Sequence, residues 1–483
     1  MCQAFQSSVT SSKQSAKFTF VDVNTGSLPA DISKESALQE MHVVDDHGAV
    51  FKSANSVLAV LDEYQSLRWL AVIGRSPFIN SILMIGYRWT AKNRYFLFGS
   101  AARLWWLKLL VVVGFLSAIV ISLPLWWGER FFPKIPIFDS VAPVVASMEG
   151  VLLIGLVATL IASVISYEPR RYLIVSVVII GIFILGDQMR LQPWVYQYVA
   201  MMLVLASASW GQLTVASHTK TLHALRLMIA AIYFYSGLQK LNLQFMESVF
   251  PWMSEPIVQI LPESMALVPI AFGVLVPFIE MAIGLGLLTN RYRMWALIGT
   301  VGMLVLVLFT LGPFGHNWNQ VVWPWNVVIA ASAWILFSGT SKYSLQDIIW
   351  VKNSLIHKLV ILFFCMLPAL SFVNLWDSYP SFSMYSGTTA RFTIEVAQDT
   401  DIFLPATIRE YVTYEHKVAR LDYYNWSFEE LRVPTYPEIR IYKKIAADLC
   451  AMSDRSEGFN FTIHDRLVLY NRTHDQHFTC LDL

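Results

Sequence analysis

Residues 104–127 read LWWLKLLVVVGFLSAIVISLPLWW, an unbroken apolar run whose one charge is Lys108. A bilayer core takes about 20 consecutive apolar residues per helix, so this stretch reads as a membrane span. Eight more follow at 141–167, 172–186, 194–216, 222–237, 265–288, 294–311, 321–337 and 355–372. The segments at 172–186 and 222–237 are short and have polar ends. The whole chain agrees with that reading. Of its 483 residues 55% are hydrophobic and 14% charged, and mean hydropathy is +0.51. Charged residues usually make up about a quarter of a soluble domain. Disorder is excluded, and a soluble enzyme would lack the polar groups to coat its surface. A net charge of +1 supplies no basic field for nucleic acid. Four cysteines are too few for a disulfide-dense scaffold.

Both flanks are polar. Residues 1–100 begin SSVTSSKQSAK after a short start and lack the pattern of a signal peptide. They read as an α/β unit: a short helix at 4–12, a strand at 17–23, a hairpin of 41–44 and 49–51 about Asp45-Asp46-His47-Gly48, and a helix at 53–64. In the tail, 376–483, ARFTIEV and FNFTIHDRLVLY alternate as strands, while TYPEIRIYKKIAADLC has helical spacing; about two-thirds of it reads as strand. Lys and Arg concentrate in alternate loops, beginning with Arg88, Lys92, Arg94 and Arg103. By the positive-inside rule the amino terminus is cytoplasmic and the carboxyl tail extracytoplasmic. Cys450 and Cys480 then share the oxidising side, where they are able to pair. Cys365 packs within a helix as a small hydrophobe.

The runs VVDDHGAVFKSANSVLAVL and GRSPFINSILMIGYRWTAKNRYFLFG closely resemble the carboxyl half of the DCC family of thioredoxin-like proteins. Members open with a strand and Asp-Gly-x-Cys-Pro-x-Cys at the start of the first helix. The resemblance places Cys2 on the second cysteine and makes it a candidate redox thiol; the first cysteine and the central strand before it have no counterpart. Loss of a central strand leaves unpaired backbone groups inside a sheet. Either the reading frame starts further upstream or the domain is degenerate. As written, Cys2 lacks a resolving partner, and protein-disulfide reduction by this chain is not expected.

Ionisable side chains in apolar helices are costly and face a cavity or a partner. Asp187, Arg190 and Gln192 stand in GDQMRLQPW, Lys240 in YFYSGLQKLN, Glu280 in VPFIEMAIGL and His316 in GPFGHNWNQ; Glu149 and Arg226 are further candidates. Asp187 and Arg190 are three apart and are expected to pair on one helical turn. Glu280 needs a proton or a partner. Lys240 either anchors a helix at the interface or acts as a base, and His316 is either a loop hydrogen-bonder or part of a site. No second histidine stands at metal-ligand spacing from it, so no metal is expected. His218, His223 and His357 fall at inner helix ends, without further support for a haem pair.

The stretch FYSGLQKLNLQFMES resembles a motif of the vitamin K-dependent γ-carboxylase family, whose transmembrane region is called HTTM. There a Gly-x-Lys-Lys-Leu stretch carries the lysine that deprotonates reduced quinone; the resemblance implies that role for Lys240. HNWNQVVWPWNVVIAASAWILF resembles the family's His-x-x-Asn-x-Gln segment. Tyr233, Tyr235, Trp252, Trp318, Trp323 and Trp325 are available to hold a quinone ring. The tail is too short for the family's glutamate- and propeptide-binding portion, so protein carboxylation is not expected.

The sequence therefore predicts a mainly α fold. A polytopic bundle of about nine helices (101–375) stands between a small, incomplete thioredoxin-like α/β domain (1–100) and a small α+β domain (376–483). The expected setting is a bacterial-type inner membrane. The expected function is a quinone-linked oxidoreductase or carboxylase-like enzyme with an attached thiol-disulfide module. Lys240 would be the base, assisted by His316 and Glu280, and a membrane quinone or quinol the cofactor. The alternative is a transporter or assembly factor without catalysis. The bilayer and a quinone are the expected partners, nucleic acid is not, and the sequence names no protein partner.

Overall fold

The computed structural model describes residues 18–21, 26, 28–29, 31–65, 67–92, 100–210, 215–339, 343–397, 404–415, 418–453, 458–466 and 475–483. Cys2 and the helix expected at 4–12 lie outside these. The chain divides into two compact units, 1–105 with 339–341, and 106–338 with 342–483.

In the first unit, helix α1 (Lys34–Gln39) precedes an antiparallel hairpin of β1 (His42–Val44) and β2 (Val50–Lys52), paired Val43 to Phe51. The Asp45 carboxylate closes its turn by accepting from the His47 and Ala49 amides, and Gly48 takes φ +83°. The hairpin is where the sequence placed it. Helices α2 (Ala54–Asp62), α3 (Arg68–Gly74) and α4 (Pro77–Lys92) follow. Residues 18–21, the described part of the strand expected at 17–23, are not in a strand.

The second unit begins within α5 (Ser100–Ile121). Then come α6 (Ala142–Ile165), α7 (Arg170–Gly186), α8 (Pro193–Ala206), α9 (Val215–Gln239), α10 (Phe250–Val258), α11 (Leu267–Phe272), α12 (Val276–Leu287), α13 (Arg293–Thr310), α14 (Val322–Phe337) and α15 (Leu355–Val360). The last continues through π and 3-10 turns to Val373. Each of the nine apolar segments contains a helix among the described residues. Among the described residues, however, five helices are long and apolar enough to cross a membrane, or up to seven with two bent pairs. One pair is Glu263–Phe272 with Val276–Leu287, bent 46°; the other, Arg68–Gly74 with Pro77–Tyr87, is bent 96° and lies where the sequence reads as non-membranous. Five to seven such spans among the described residues are fewer than the nine expected from the sequence. Helices α7, α8 and α14 have 17, 14 and 16 residues. At 1.5 Å per residue they fall short of a hydrocarbon core about 30 Å thick.

Helices α9 and α12 cross with almost no side chain between them. A Cβ on Gly237 would stand 2.4 Å from the Pro277 carbonyl oxygen, and one on Gly284 2.6 Å from that of Ala230. Small residues at such crossings let backbones approach. Gly284→Val is expected to force the pair apart and cost about 1–3 kcal/mol or more. Thermal unfolding in detergent measures the loss; an unchanged midpoint would show that the crossing tolerates bulk.

The tail is an antiparallel five-stranded sheet in the order β4-β5-β3-β6-β7: β3 Arg391–Val396, β4 Val412–Glu415, β5 Val418–Leu421, β6 Phe459–His464 and β7 Asp475–Thr479. Among the described residues of the tail these strands hold four to six residues each, a smaller share than the two-thirds expected. Alternation works as read: Phe392, Ile394 and Val396 are buried opposite Ile463, Phe461 and Phe459. Helix α16 (Tyr423–Leu431) precedes α17 (Ile439–Ser453), which buries Ile441, Tyr442, Ile445 and Leu449. Cys450 at its end is bonded to Cys480. The tail packs on the bundle: Phe132 meets Trp426 at 4.8 Å between ring centres, Gln192 donates to the Pro434 carbonyl, and Glu430 accepts from the Phe131 and Phe132 amides.

The expected Asp187–Arg190 ion pair is replaced by two others. Asp187 pairs with Arg130 at 2.6 Å, and Arg190 with Glu149 at 2.5 Å; Glu149 also takes Lys134 at 2.9 Å. The helix ends at Gly186, and Asp187 is extended (φ −162°, ψ 111°), so its carboxylate turns back to cap the 3-10 turn Gln188–Arg190. Three-residue spacing joins side chains on a continuing helix, not across its end.

Candidate functional site

A cavity of about 120 Å³ opens between α9, α12, α13 and α14. Its walls are mostly apolar, among them Val276, Met303, Val307 and Ile329, with Trp325 beside them. Phe382 and Tyr385 from the start of the tail also line it. A cavity of roughly this size takes one benzene-sized ring.

The charge in this wall is a pair. Lys240 Nζ donates to Glu280 Oε2 at 2.7 Å, to Ser236 Oγ at 2.7 Å and to the Ser236 carbonyl at 3.2 Å. Both charged side chains are less than one-tenth exposed. The geometry follows from the helices. Lys240 comes just after α9 ends, so its ammonium reaches back to a carbonyl of the last turn, which carries partial negative charge. The glycine crossing then brings Glu280 on α12 within reach. Glu280 thus has the partner its burial demands, and Lys240 is held inside rather than placed at an interface.

His316 does not line the cavity. Its Nε2 donates to the Trp252 carbonyl at 2.7 Å, and its ring stacks on Trp252 at 4.5 Å. Trp252 stacks in turn on Tyr385 at 6.4 Å. The histidine therefore supports the wall from behind. Of the six candidate aromatic residues, Tyr233 and Trp325 line the cavity. Tyr235 donates to the Cys365 carbonyl, Trp323 to that of Leu311, and Trp318 packs on Phe428 of α16.

Ser236, Phe382 and Tyr385 were not anticipated. Ser236 was within reach, since it lies four residues before Lys240 on one helix face. The two aromatic residues carry no local signal. Both have left-handed backbones, Phe382 at φ 62° and Tyr385 at φ 55°, a strained conformation for bulky side chains. Bonds to α9 and its exit hold the segment. Gln239 donates to Ser371 Oγ at 2.7 Å, and Asn242 to the Ser386 carbonyl at 2.7 Å. Asn319 donates to the Tyr385 hydroxyl at 3.1 Å, and burial raises the pKa of that hydroxyl above its usual value, keeping it protonated. Among the described residues, no three His, Cys, Asp or Glu side chains form a metal-ligating group. His218, His223 and His357 bond instead to the Ser209 carbonyl, Arg226 and the Ile349 carbonyl.

Residues 1–100 match the family model of the DCC1-like thiol-disulfide oxidoreductases, and residues 221–313 match that of DoxX. The chain carries one domain of each kind. The DCC1-like domain agrees with the resemblance read from the sequence. The DoxX match covers α9 from residue 221 on, all of α12 and α13, and with them Lys240, Glu280 and the glycine crossing; His316 follows just beyond it. With its apolar helices, this makes the chain an integral membrane protein. No curated protein and no solved structure matches it.

Proposed function

We propose that the cavity in the DoxX domain binds the ring of a membrane quinone and that the Lys240–Glu280 pair handles its protons. One observation carries this reading: a buried ion pair faces a mostly apolar space the size of one ring. The sequence cast Lys240 as a base toward a quinol. Paired with Glu280 it works in both directions, because the ammonium donates to a quinone oxygen while the carboxylate accepts from a quinol hydroxyl. The DCC1-like domain supplies the second half of the reaction class. A dithiol gives up two electrons and two protons and becomes a disulfide; the quinone takes both and becomes a quinol. The dithiol is a co-reactant, on a partner or on a complete thioredoxin-like module. The likeness of the lysine motif to the HTTM region supports the quinone assignment. The loop charges and the Cys450–Cys480 bond support an extracytoplasmic tail, since disulfides persist on the oxidising side.

A second reading has its own observation. The Lys240 ammonium finds three acceptors within the protein, as a purely structural staple would. Titrating the purified protein with a short-chain benzoquinone separates the two, with quenching of tryptophan fluorescence as the readout. Saturable quenching is expected. Met303→Trp, which fills the cavity, should abolish it, and Lys240→Met/Glu280→Leu should weaken it by about tenfold, the worth of one charge-assisted hydrogen bond. Equal affinity in the double variant would leave the pair as a staple.

A further inference from the structure

Beside the middle of α9, Tyr343 lies between two guanidinium groups. Arg226 Cζ is 4.1 Å from the centre of its ring, and Arg293 Cζ is 3.9 Å. All three side chains are at least nine-tenths buried. They come from separate places: Arg226 from α9, Arg293 from the first turn of α13, and Tyr343 from the chain after α14. The arginines are held in position. Arg226 Nε donates to the Leu336 carbonyl at 2.9 Å and its Nη1 to His223 at 3.3 Å, while Arg293 Nη2 donates to Asn290 at 2.5 Å.

The hydroxyl of Tyr343 is buried and has no hydrogen-bond partner among the described residues. Buried polar groups are nearly always satisfied, so an orphan hydroxyl between two cations points to an absent partner. The chemistry of that partner is constrained. A hydroxyl can donate or accept, but two permanent cations lie over its ring, which favours an anion that accepts from it. The surrounding chain is strongly basic. Segments 215–226, 288–296 and 336–358 hold seven Lys or Arg and one acid, Asp347. Asp347 is engaged in the capping box of Ser344. Phosphate oxygens match guanidinium donors in geometry and charge, and basic pockets at transmembrane helix ends take phospholipid headgroups.

We infer that the Arg226–Tyr343–Arg293 stack is a phosphate-binding site, taking the headgroup of an anionic phospholipid or free phosphate. It is independent of the quinone cavity.

The test is thermal unfolding of the purified full chain in a neutral detergent, with phosphatidylglycerol, phosphatidylcholine or inorganic phosphate added at matched ionic strength. A rise in midpoint with phosphatidylglycerol and not with phosphatidylcholine identifies the lipid as the source. A rise with inorganic phosphate identifies the free ion. No rise with either phosphate source, or an equal rise with phosphatidylcholine, overturns the site. Tyr343→Phe keeps the ring between its two cations and removes only the orphan hydroxyl. Its midpoint without additive should not fall, while its apparent affinity for the phosphate source should drop roughly tenfold. An unchanged response in that variant would equally overturn the assignment.

Discussion

Replacing Lys240 by methionine lowers stability by about 3–5 kcal/mol, and adding Glu280→Leu restores most of that loss. The asymmetry comes from desolvation. In the single variant Glu280 keeps its charge in an apolar wall without a counterion, or must take up a proton to survive there. In the double variant neither charge remains, and two apolar side chains fill nearly the same volume. Denaturant unfolding in mild detergent, followed by tryptophan fluorescence, gives both numbers. If the double variant loses as much as the two singles combined, the pair is not coupled as its 2.7 Å separation requires.

Asp187→Ala has a comparable effect, again about 3–5 kcal/mol, by leaving a buried cation without its partner. The Asp187 carboxylate accepts from Arg130 at 2.6 Å and from the Ile135 and Met189 amides at 3.1 Å each. It therefore ties the 128–139 connection to the end of α7, and its loss strands Arg130, whose side chain is 2% exposed. Arg130→Met in the same background should recover part of the loss. Recovery from Arg190→Met instead would mean that Asp187 pairs along the chain after all.

The helices were legible because length and hydropathy are local properties, and each of the nine apolar segments contains a described helix. What length could not supply was the number of full crossings, since α7, α8 and α14 are each too short to span alone. Lys240 and Glu280 stood out as isolated charges in apolar surroundings. Their pairing did not, because it depends on Gly237 and Gly284 letting two backbones meet across forty residues of chain. Asp187 and Arg190 were misread for the opposite reason: a local rule was applied where the helix had ended. His316 stood out by its motif, yet it lies behind the wall rather than in it. Phe382 and Tyr385 were invisible. Their place in the cavity comes from a tight segment with left-handed backbone, bounded by the Ser381 and Ser386 carbonyls, which accept from Gln239 and Asn242 over 140 residues away. In the tail the alternation of β3 and β6 was plain, whereas the closure of Cys450 with Cys480 needed the sheet and α17 in place.

That the cavity borrows part of its lining from the tail has a consequence for biogenesis. Translation delivers α9, α12, α13 and α14 long before residues 382–385 emerge, so the nascent bundle carries an open cleft rather than a closed chamber. Completion awaits docking of the carboxyl segment onto the end of α9, where Gln239 and Asn242 receive it. Folding of the last quarter of the chain is thus a maturation step for a site whose charges lie in the middle of it. A chain halted near residue 375 would possess the ion pair without the enclosure that gives the pair its purpose.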